Sequence, residues 1–331
     1  MPRVNRAIEL LEQGQPIYYT GTADRGFEGG VKAAKTWADY ITYEMEHAPF
    51  DVSNLADFMR GLVAGGPTRS GHRTPTVIVT LPMNGSDEQS VNANAWMIKP
   101  KNLESGKHYP LLMWVYGGPG SQTVLDSWAG SQYLWYQMLA QQGYLVVSVD
   151  NRGTGARGAR FRKLTYLRLG HFESADQISA ARFFGSLPYV DASRIGIWGW
   201  SYGGYVASRT MFLGGDVFRA AIAVAPVTDW RFYDTIYTER YMRTPAENPQ
   251  GYDESSSLAY ADSLRGSFLV VHGTGDDNVH FQNTVRLVER LEKANKQFDM
   301  RIYPNKTHAI SGGNTTENLF GFLTEWLKRS L

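Results

Sequence analysis

Between Arg194 and Gly204 the chain reads RIGIWGWSYGG. Ile195, Ile197 and Trp198 have the apolar character of a short buried strand, Gly199-Trp200-Ser201-Tyr202-Gly203 is a G-x-S-x-G pentapeptide, and Tyr205 to Arg209 begins a helical pattern. A serine on so tight a strand-to-helix turn projects its hydroxyl above the sheet as a nucleophile for acyl transfer. That hydroxyl is weak until a base takes its proton and an acid orients the base. Two later strands end in those residue types. Phe268–Val271 runs into His272-Gly273-Thr274-Gly275-Asp276-Asp277, and Met300–Tyr303 runs into Pro304-Asn305-Lys306-Thr307-His308. Strand-end placement makes Asp276 the orienting acid, with Asp277 as its competitor, and His308 the general base and acid. The tetrahedral intermediate also needs donors. The amide of Tyr202, next to the nucleophile, is one. The other is expected from the loop Tyr116-Gly117-Gly118-Pro119-Gly120 that follows a strand over Pro110–Tyr116.

The remaining histidines have ordinary readings. His272 sits at a strand as a satisfied interior imidazole, His280 helps start a helix, His171 caps or packs one, and His72 and His108 lie in loops. No histidine spacing suggests a metal site. No cofactor is expected.

These residues need a scaffold that brings strand ends together. From residue 94 onward, strands and helices alternate. Strands are predicted at 94–99, Pro110–Tyr116, Tyr144–Val149, the elbow strand, Phe218–Ala225, Phe268–Val271 and Met300–Tyr303. Helices are predicted at Trp128–Gln142 and Phe172–Leu187, with one carrying Val285, Val288 and Leu291 on its inner face. A terminal helix over Glu317–Leu327 buries Leu319, Phe322, Leu323, Trp326 and Leu327. Such alternation implies a mostly parallel sheet covered on both faces. With the order serine, acid, histidine, this is an α/β-hydrolase fold.

Before residue 94 the pattern is looser. Val4–Gln13 reads as a helix, Ile17-Tyr18-Tyr19 as a brief strand and Gly21–Gly30 as an open loop. Lys32–Glu46 is open to either helix or strand. Leu55–Leu62 is predicted helical and Thr76–Thr80 extended. The chain thus divides into residues 1–93 and 94–331.

Composition excludes several classes. Hydrophobic residues make up 43% and charged residues 20%, as in a globular protein, and a net charge of +1 points to no nucleic-acid partner. With no cysteine, disulfides and thiolate metal sites are out. No run approaches about 18 apolar residues, so no membrane partner is expected. The charged start, MPRVNRAIELLEQGQP, lacks the apolar core of a signal peptide, so a cytoplasmic location is the expectation.

VYGGPGSQTV, DNRGTGARG, GWSYGGY, APVTDWRFYDTIYTERYM and HGTGDDNVHFQ together resemble the catalytic domain of the prolyl oligopeptidase clan, in its dipeptidyl peptidase IV branch, over residues 94–331. The resemblance implies a triad of Ser201, Asp276 and His308, and an oxyanion hole made by the Tyr116 hydroxyl and the Tyr202 amide. It also implies a small apolar S1 pocket for proline or alanine, walled by Val227, Trp230, Tyr233, Tyr237 and Val279 with Tyr202. Asn278 would hold the carbonyl of the preceding substrate residue. Trp230, Tyr233 and Tyr237 are spaced i, i+3, i+7, which fits one helical face. Members of that branch carry a β-propeller before the hydrolase, and residues 1–93 contain no four-stranded repeats.

Residues 3–97 are instead similar to the start of the class II 2-keto-3-deoxy-acid aldolase barrels, through WADYITYEMEHAPFD and Thr76-Val77-Ile78-Val79. That resemblance implies a catalytic role for His47. Eight strands need about 250 residues, however, so a structural fragment is the expectation. The strand Thr76–Thr80 would then hairpin onto 94–99, completing the hydrolase sheet.

The reading that follows is a serine hydrolase of small or unhindered carboxylic esters, because an alkoxide leaves more readily than an amine. The alternative is a serine peptidase or arylamidase cleaving after Pro or Ala. A lyase built on the first region, or a non-catalytic assembly protein, is a reading of another class. Expected partners are a small ester or short peptide and a second copy of the chain. Exposed strand edges in residues 1–93 would favour such a homo-oligomer.

Overall fold

The computed structural model describes residues 6–22, 24–44, 52–80, 93–125, 127 and 130–331. The chain divides into two compact units, Met1–Ser90 and Val91–Leu331.

The first unit contains α1 (Arg6–Glu12), β1 (Tyr19–Gly21), α2 (Gly26–Ala33), β2 (Tyr40–Glu44), α3 (Val52–Ala64) and β3 (Thr76–Thr80). Its three strands form a parallel sheet in the order β1-β2-β3. A small core of Ala34, Ile41, Tyr43, Phe58 and Leu62 lies between sheet and helices. The glycine-rich stretch expected to be an open loop supplies α2 instead. A Cβ at Gly30 would collide with the Phe58 carbonyl of α3, so glycine here allows close helix packing rather than loop freedom. The first strand begins two residues later than expected. The Tyr18 amide donates to the Asp39 carboxylate rather than joining a ladder.

The second unit contains β4 (Asn94–Ile98), β5 (Tyr109–Trp114), α4 (Gly130–Gln141), β6 (Leu145–Asp150), α5 (Gly158–Lys163), α6 (His171–Gly185), β7 (Val190–Trp200), α7 (Tyr202–Leu213) and β8 (Ala220–Val224). It continues with α8 (Thr235–Met242), α9 (Pro249–Ser255), β9 (Ser267–Gly273), α10 (Gln282–Lys293), β10 (Asp299–Tyr303) and α11 (Thr315–Ser330). Seven strands form one sheet in the order β10-β9-β8-β7-β5-β6-β4, parallel throughout except that β4 runs antiparallel to β6. The expected hairpin between Thr76–Thr80 and the strand at 94 does not form. β3 pairs with β2 in parallel, whereas β4 takes its hydrogen bonds from β6.

Alternate strand residues feed two separate cores. Leu111, Met113, Ile195, Ile197, Ala221, Ala223, Phe268 and Val270 pack on one face with residues of α7 and α10. Leu112, Val146, Trp198, Ile222, Val224, Leu269 and Val271 pack on the other with residues of α4 and α11. Burial on both faces explains why the central strands are nearly continuous apolar runs.

Helix α10 departs from expectation. Its buried side is Asn283, Thr284, Leu287 and Leu291, with Val288 partly packed and Val285 exposed. Two polar residues occupy the inner stripe because they serve hydrogen bonds, which an apolar periodicity cannot reveal. Among the described residues no helix is long and apolar enough to cross a membrane.

Candidate active site

The elbow sits where β7, at the centre of the sheet, turns into α7. Ser201 has φ 60° and ψ −119°, a conformation that L-residues seldom adopt and that is maintained only when its surroundings enforce it. Here the Ser201 amide donates to the Val224 carbonyl of β8, at 2.8 Å, and the Ser201 carbonyl accepts from the Tyr205 amide of α7, at 3.0 Å. The turn also needs Gly203, where a Cβ would run into the Val115 carbonyl beyond the end of β5. That close approach sets the serine turn against the segment that carries Tyr116.

Asp276 lies just past β9, which pairs with β8, and His308 past β10, the edge strand beside β9. His308 Nδ1 meets Asp276 Oδ2 at 2.7 Å. A carboxylate only accepts, so this bond puts the proton on Nδ1 and leaves Nε2 as the free base. The Trp200 indole N–H donates to the His308 carbonyl at 3.0 Å, tying the histidine loop to the residue before the serine. The Ser201 hydroxyl itself makes no hydrogen bond among the described residues. Asp277, the competing acid, is exposed.

Asp276 is 5% exposed and its two oxygens take four bonds. Oδ1 accepts from the amides of Asn278, at 3.0 Å, and Val279, at 2.9 Å. Oδ2 faces both His308 and His272 Nε2, the latter at 3.1 Å. Burial pushes the carboxyl pKa up, but the bonds from His272, His308 and the backbone outweigh it and hold the group well below the usual carboxylate range. His272 is therefore more than a satisfied interior ring. Its Nε2 faces two acceptors, Asp276 and the Val279 carbonyl at 2.8 Å, so it donates. Its Nδ1 then accepts from the Thr284 hydroxyl at 2.7 Å. The only sequence signal for this role was a histidine four residues before the acid, at a strand end.

The two residues expected to supply oxyanion donors, Tyr202 at the start of α7 and Tyr116 beyond the end of β5, lie side by side. The Tyr116 and Tyr202 rings lie 6.0 Å apart, and a Cβ on Gly118 would meet both, at 2.9 Å and 3.1 Å. Desolvation raises the Tyr116 pKa, so its phenol stays protonated and able to donate at neutral pH.

The aromatic residues expected on one helical face do converge, but by another route. Trp230 sits in a 3-10 turn capped by Asp229, Tyr233 is extended, and Tyr237 lies in α8, capped by Asp234. Trp230 stacks on Tyr237 at 5.9 Å, Tyr233 meets Tyr237 edge-on at 5.3 Å, and Tyr202 closes on Trp230 at 5.3 Å. Val227, Trp230 and Val279 are buried. Asn278 is exposed, and its Oδ1 accepts from the Tyr233 hydroxyl at 2.8 Å.

Behind the cage lies a group that sequence reasoning missed. Glu173, in the first turn of α6, is fully buried, and its Oε1 accepts from the Tyr202 hydroxyl at 2.7 Å. Among the described residues its Oε2 has no hydrogen-bond partner. Burial raises its pKa to about 7 despite the Tyr202 bond. Among the described residues no cluster of three or more histidine or carboxylate side chains could hold a metal. His47 lies outside the described residues.

Comparison with known proteins places this arrangement. The solved chain of Porphyromonas gingivalis dipeptidyl peptidase 4 matches with a TM-score of 0.71 and 53% identity, covering 74% of this chain and 34% of that one. A protein of Ajellomyces capsulatus named "Probable dipeptidyl-aminopeptidase B" is 48% identical over 234 residues, and its namesake in Coccidioides posadasii is 44% identical over 251. These alignments take in 69% and 75% of this chain, which spans about a quarter of each relative's length, 25% and 27%. The model of the prolyl oligopeptidase family matches residues 131–331, from α4 through the elbow, Asp276 and His308 to the last helix. The chain belongs to the prolyl oligopeptidase family.

Proposed function

We propose that the chain is a serine hydrolase, a peptidase that cleaves after a small apolar residue, proline or alanine, through an acyl-enzyme on Ser201. The observation that supports it most is the 2.7 Å bond from His308 to a carboxylate fixed by three further donors, at the strand ends beside a strained serine elbow. The peptidase names of the similar proteins favour this reading over the ester hydrolase reading, and so does the aromatic cage of Tyr202, Trp230, Tyr233 and Tyr237.

His308 Nε2 takes the hydroxyl proton as Ser201 Oγ bonds to the substrate carbonyl carbon. Asp276 stabilises the resulting imidazolium, and the Tyr202 amide and Tyr116 hydroxyl receive the oxyanion. The intermediate collapses by breaking the C–N bond, with the proton passing from His308 to the departing amine. Water then repeats the sequence to release the acid. In this reading the pyrrolidine of proline packs within the cage of Trp230 and Tyr237, and the Asn278 side-chain amide N–H donates to the carbonyl of the preceding residue. Activated esters would be turned over by the same groups. No catalytic step is assigned to the first unit.

The test is a panel of Xaa-Pro and Xaa-Ala p-nitroanilides beside p-nitrophenyl esters, each run on the full chain and on Ser201→Ala. Cleavage of these anilides is expected, with a preference over Xaa-Leu and Xaa-Phe p-nitroanilides run alongside. Ester cleavage with no anilide cleavage would return the reading to a carboxylesterase.

A further inference from the structure

The stretch from Arg152 to Arg168 is strongly basic, and most of its cations are committed. Arg152 forms a buried pair with Asp176, at 2.6 Å, and lies over the Phe172 ring. Arg157 lies over Phe161 and Arg168 over Phe172. Arg162 and Lys163, in the last turn of α5, are different. Among the described residues their side chains make neither an ion pair nor a hydrogen bond, and the same holds for Arg240 in α8.

These three cations line one pocket of about 540 Å³, together with Gly120, Tyr166 and Tyr241, and among the described residues no carboxylate is in the lining. Gly120 closes the loop that starts at Tyr116. The Tyr241 ring is 4.9 Å from Tyr237, so the pocket shares a wall with the aromatic cage. Three cations that line one concavity with no counter-ion among the described residues repel one another, which an anion relieves. The planar fork of Arg240 or Arg162 suits a carboxylate. An extended basic face, as nucleic acid requires, is not what these residues make, and the net charge is only +1.

We propose that this pocket is a substrate subsite for a carboxylate-bearing side chain, so that the enzyme favours peptides with Asp or Glu next to the residue held in the aromatic cage. The proposal rests on the peptidase reading of the Ser201 site. Its test therefore reads binding rather than turnover, so that the two can fail separately.

The full chain carrying Ser201→Ala is titrated by calorimetry with two pairs of amidated peptides. Glu-Pro-amide against Gln-Pro-amide places the carboxylate before the scissile position, and Ala-Pro-Glu-amide against Ala-Pro-Gln-amide places it after. One acidic peptide should bind about 2- to 30-fold more tightly than its neutral twin at low salt, the range expected from one or two exposed charge pairs. The preference should shrink as salt is raised. It should vanish when R162Q, K163Q and R240Q are combined in the same background, and R240E alone should weaken it. The proposal is overturned if neither acidic peptide is preferred, if none binds, or if the preference survives the triple substitution. An acidic preference in a chain whose wild type cleaves no Xaa-Pro anilide would keep the subsite and remove the peptidase reading.

Discussion

Replacing Glu173 by glutamine should change how stability depends on pH. The carboxyl is fully buried against Tyr202, and burial lifts its pKa from 4.5 to about 7. Because the folded value lies above the unfolded one, the native chain binds the extra proton between these limits. Stability must therefore fall as pH rises through that window, at up to about 1.4 kcal/mol per pH unit. The shift corresponds to about 3 kcal/mol once both states are ionised. Glutamine keeps an acceptor for the Tyr202 hydroxyl and puts its amide nitrogen where Oε2 already lacks a partner among the described residues. Its own cost of about 1–3 kcal/mol is independent of pH. Urea unfolding from pH 4 to pH 8 should thus give a wild-type curve that loses about 3 kcal/mol relative to E173Q, most of it below pH 7. Parallel curves would refute the reasoning, since they would mean that Glu173 ionises in place without penalty.

Other outcomes follow from the same geometry. Tyr116→Phe should lower kcat by about 10²–10³ with little change in KM, as loss of one oxyanion donor does, measured with an Xaa-Pro anilide. Asp276→Asn should cost about 10³–10⁴ in kcat. Its oxygen is claimed by the amides of Asn278 and Val279, so the new NH₂ faces two histidine N–H groups, and a loss below tenfold would count against that network. Gly203→Ala should destabilise the chain by about 1–3 kcal/mol and remove activity, because its methyl meets the Val115 carbonyl. Unchanged melting and turnover would show that the elbow tolerates a side chain there.

Much of the second unit was legible because its signals are local. An apolar run followed by G-x-S-x-G, and strand runs that stop at Asp276 and His308, report their own surroundings. What escaped depends on chain segments far apart in sequence. His272 gains its role only when the turn after β9 folds Asp276 back onto it. Glu173 looks like an ordinary acid in a helix's first turn until α6 packs against Tyr202. Trp230, Tyr233 and Tyr237 had the spacing of one helix, yet Asp229 and Asp234 cap two separate elements there, and the rings meet by tertiary folding instead. In the first unit, glycine suggested a loop at Gly21–Gly30, whereas packing against α3 made it a helix. The Thr76–Thr80 strand was recognised, but its partner was not, since a short apolar strand does not encode which neighbour it joins.

The central claim is that Ser201 is the acylated nucleophile. It is tested most directly by treating the full chain with a fluorophosphonate and reading intact mass and peptide maps alongside Xaa-Pro anilide turnover. The wild type should gain a single adduct on Ser201 and lose activity in step with labelling. Ser201→Ala, folded by circular dichroism, should gain none and turn over several orders of magnitude more slowly. An adduct on another residue, or a Ser201→Ala protein that hydrolyses at a wild-type rate, would contradict it.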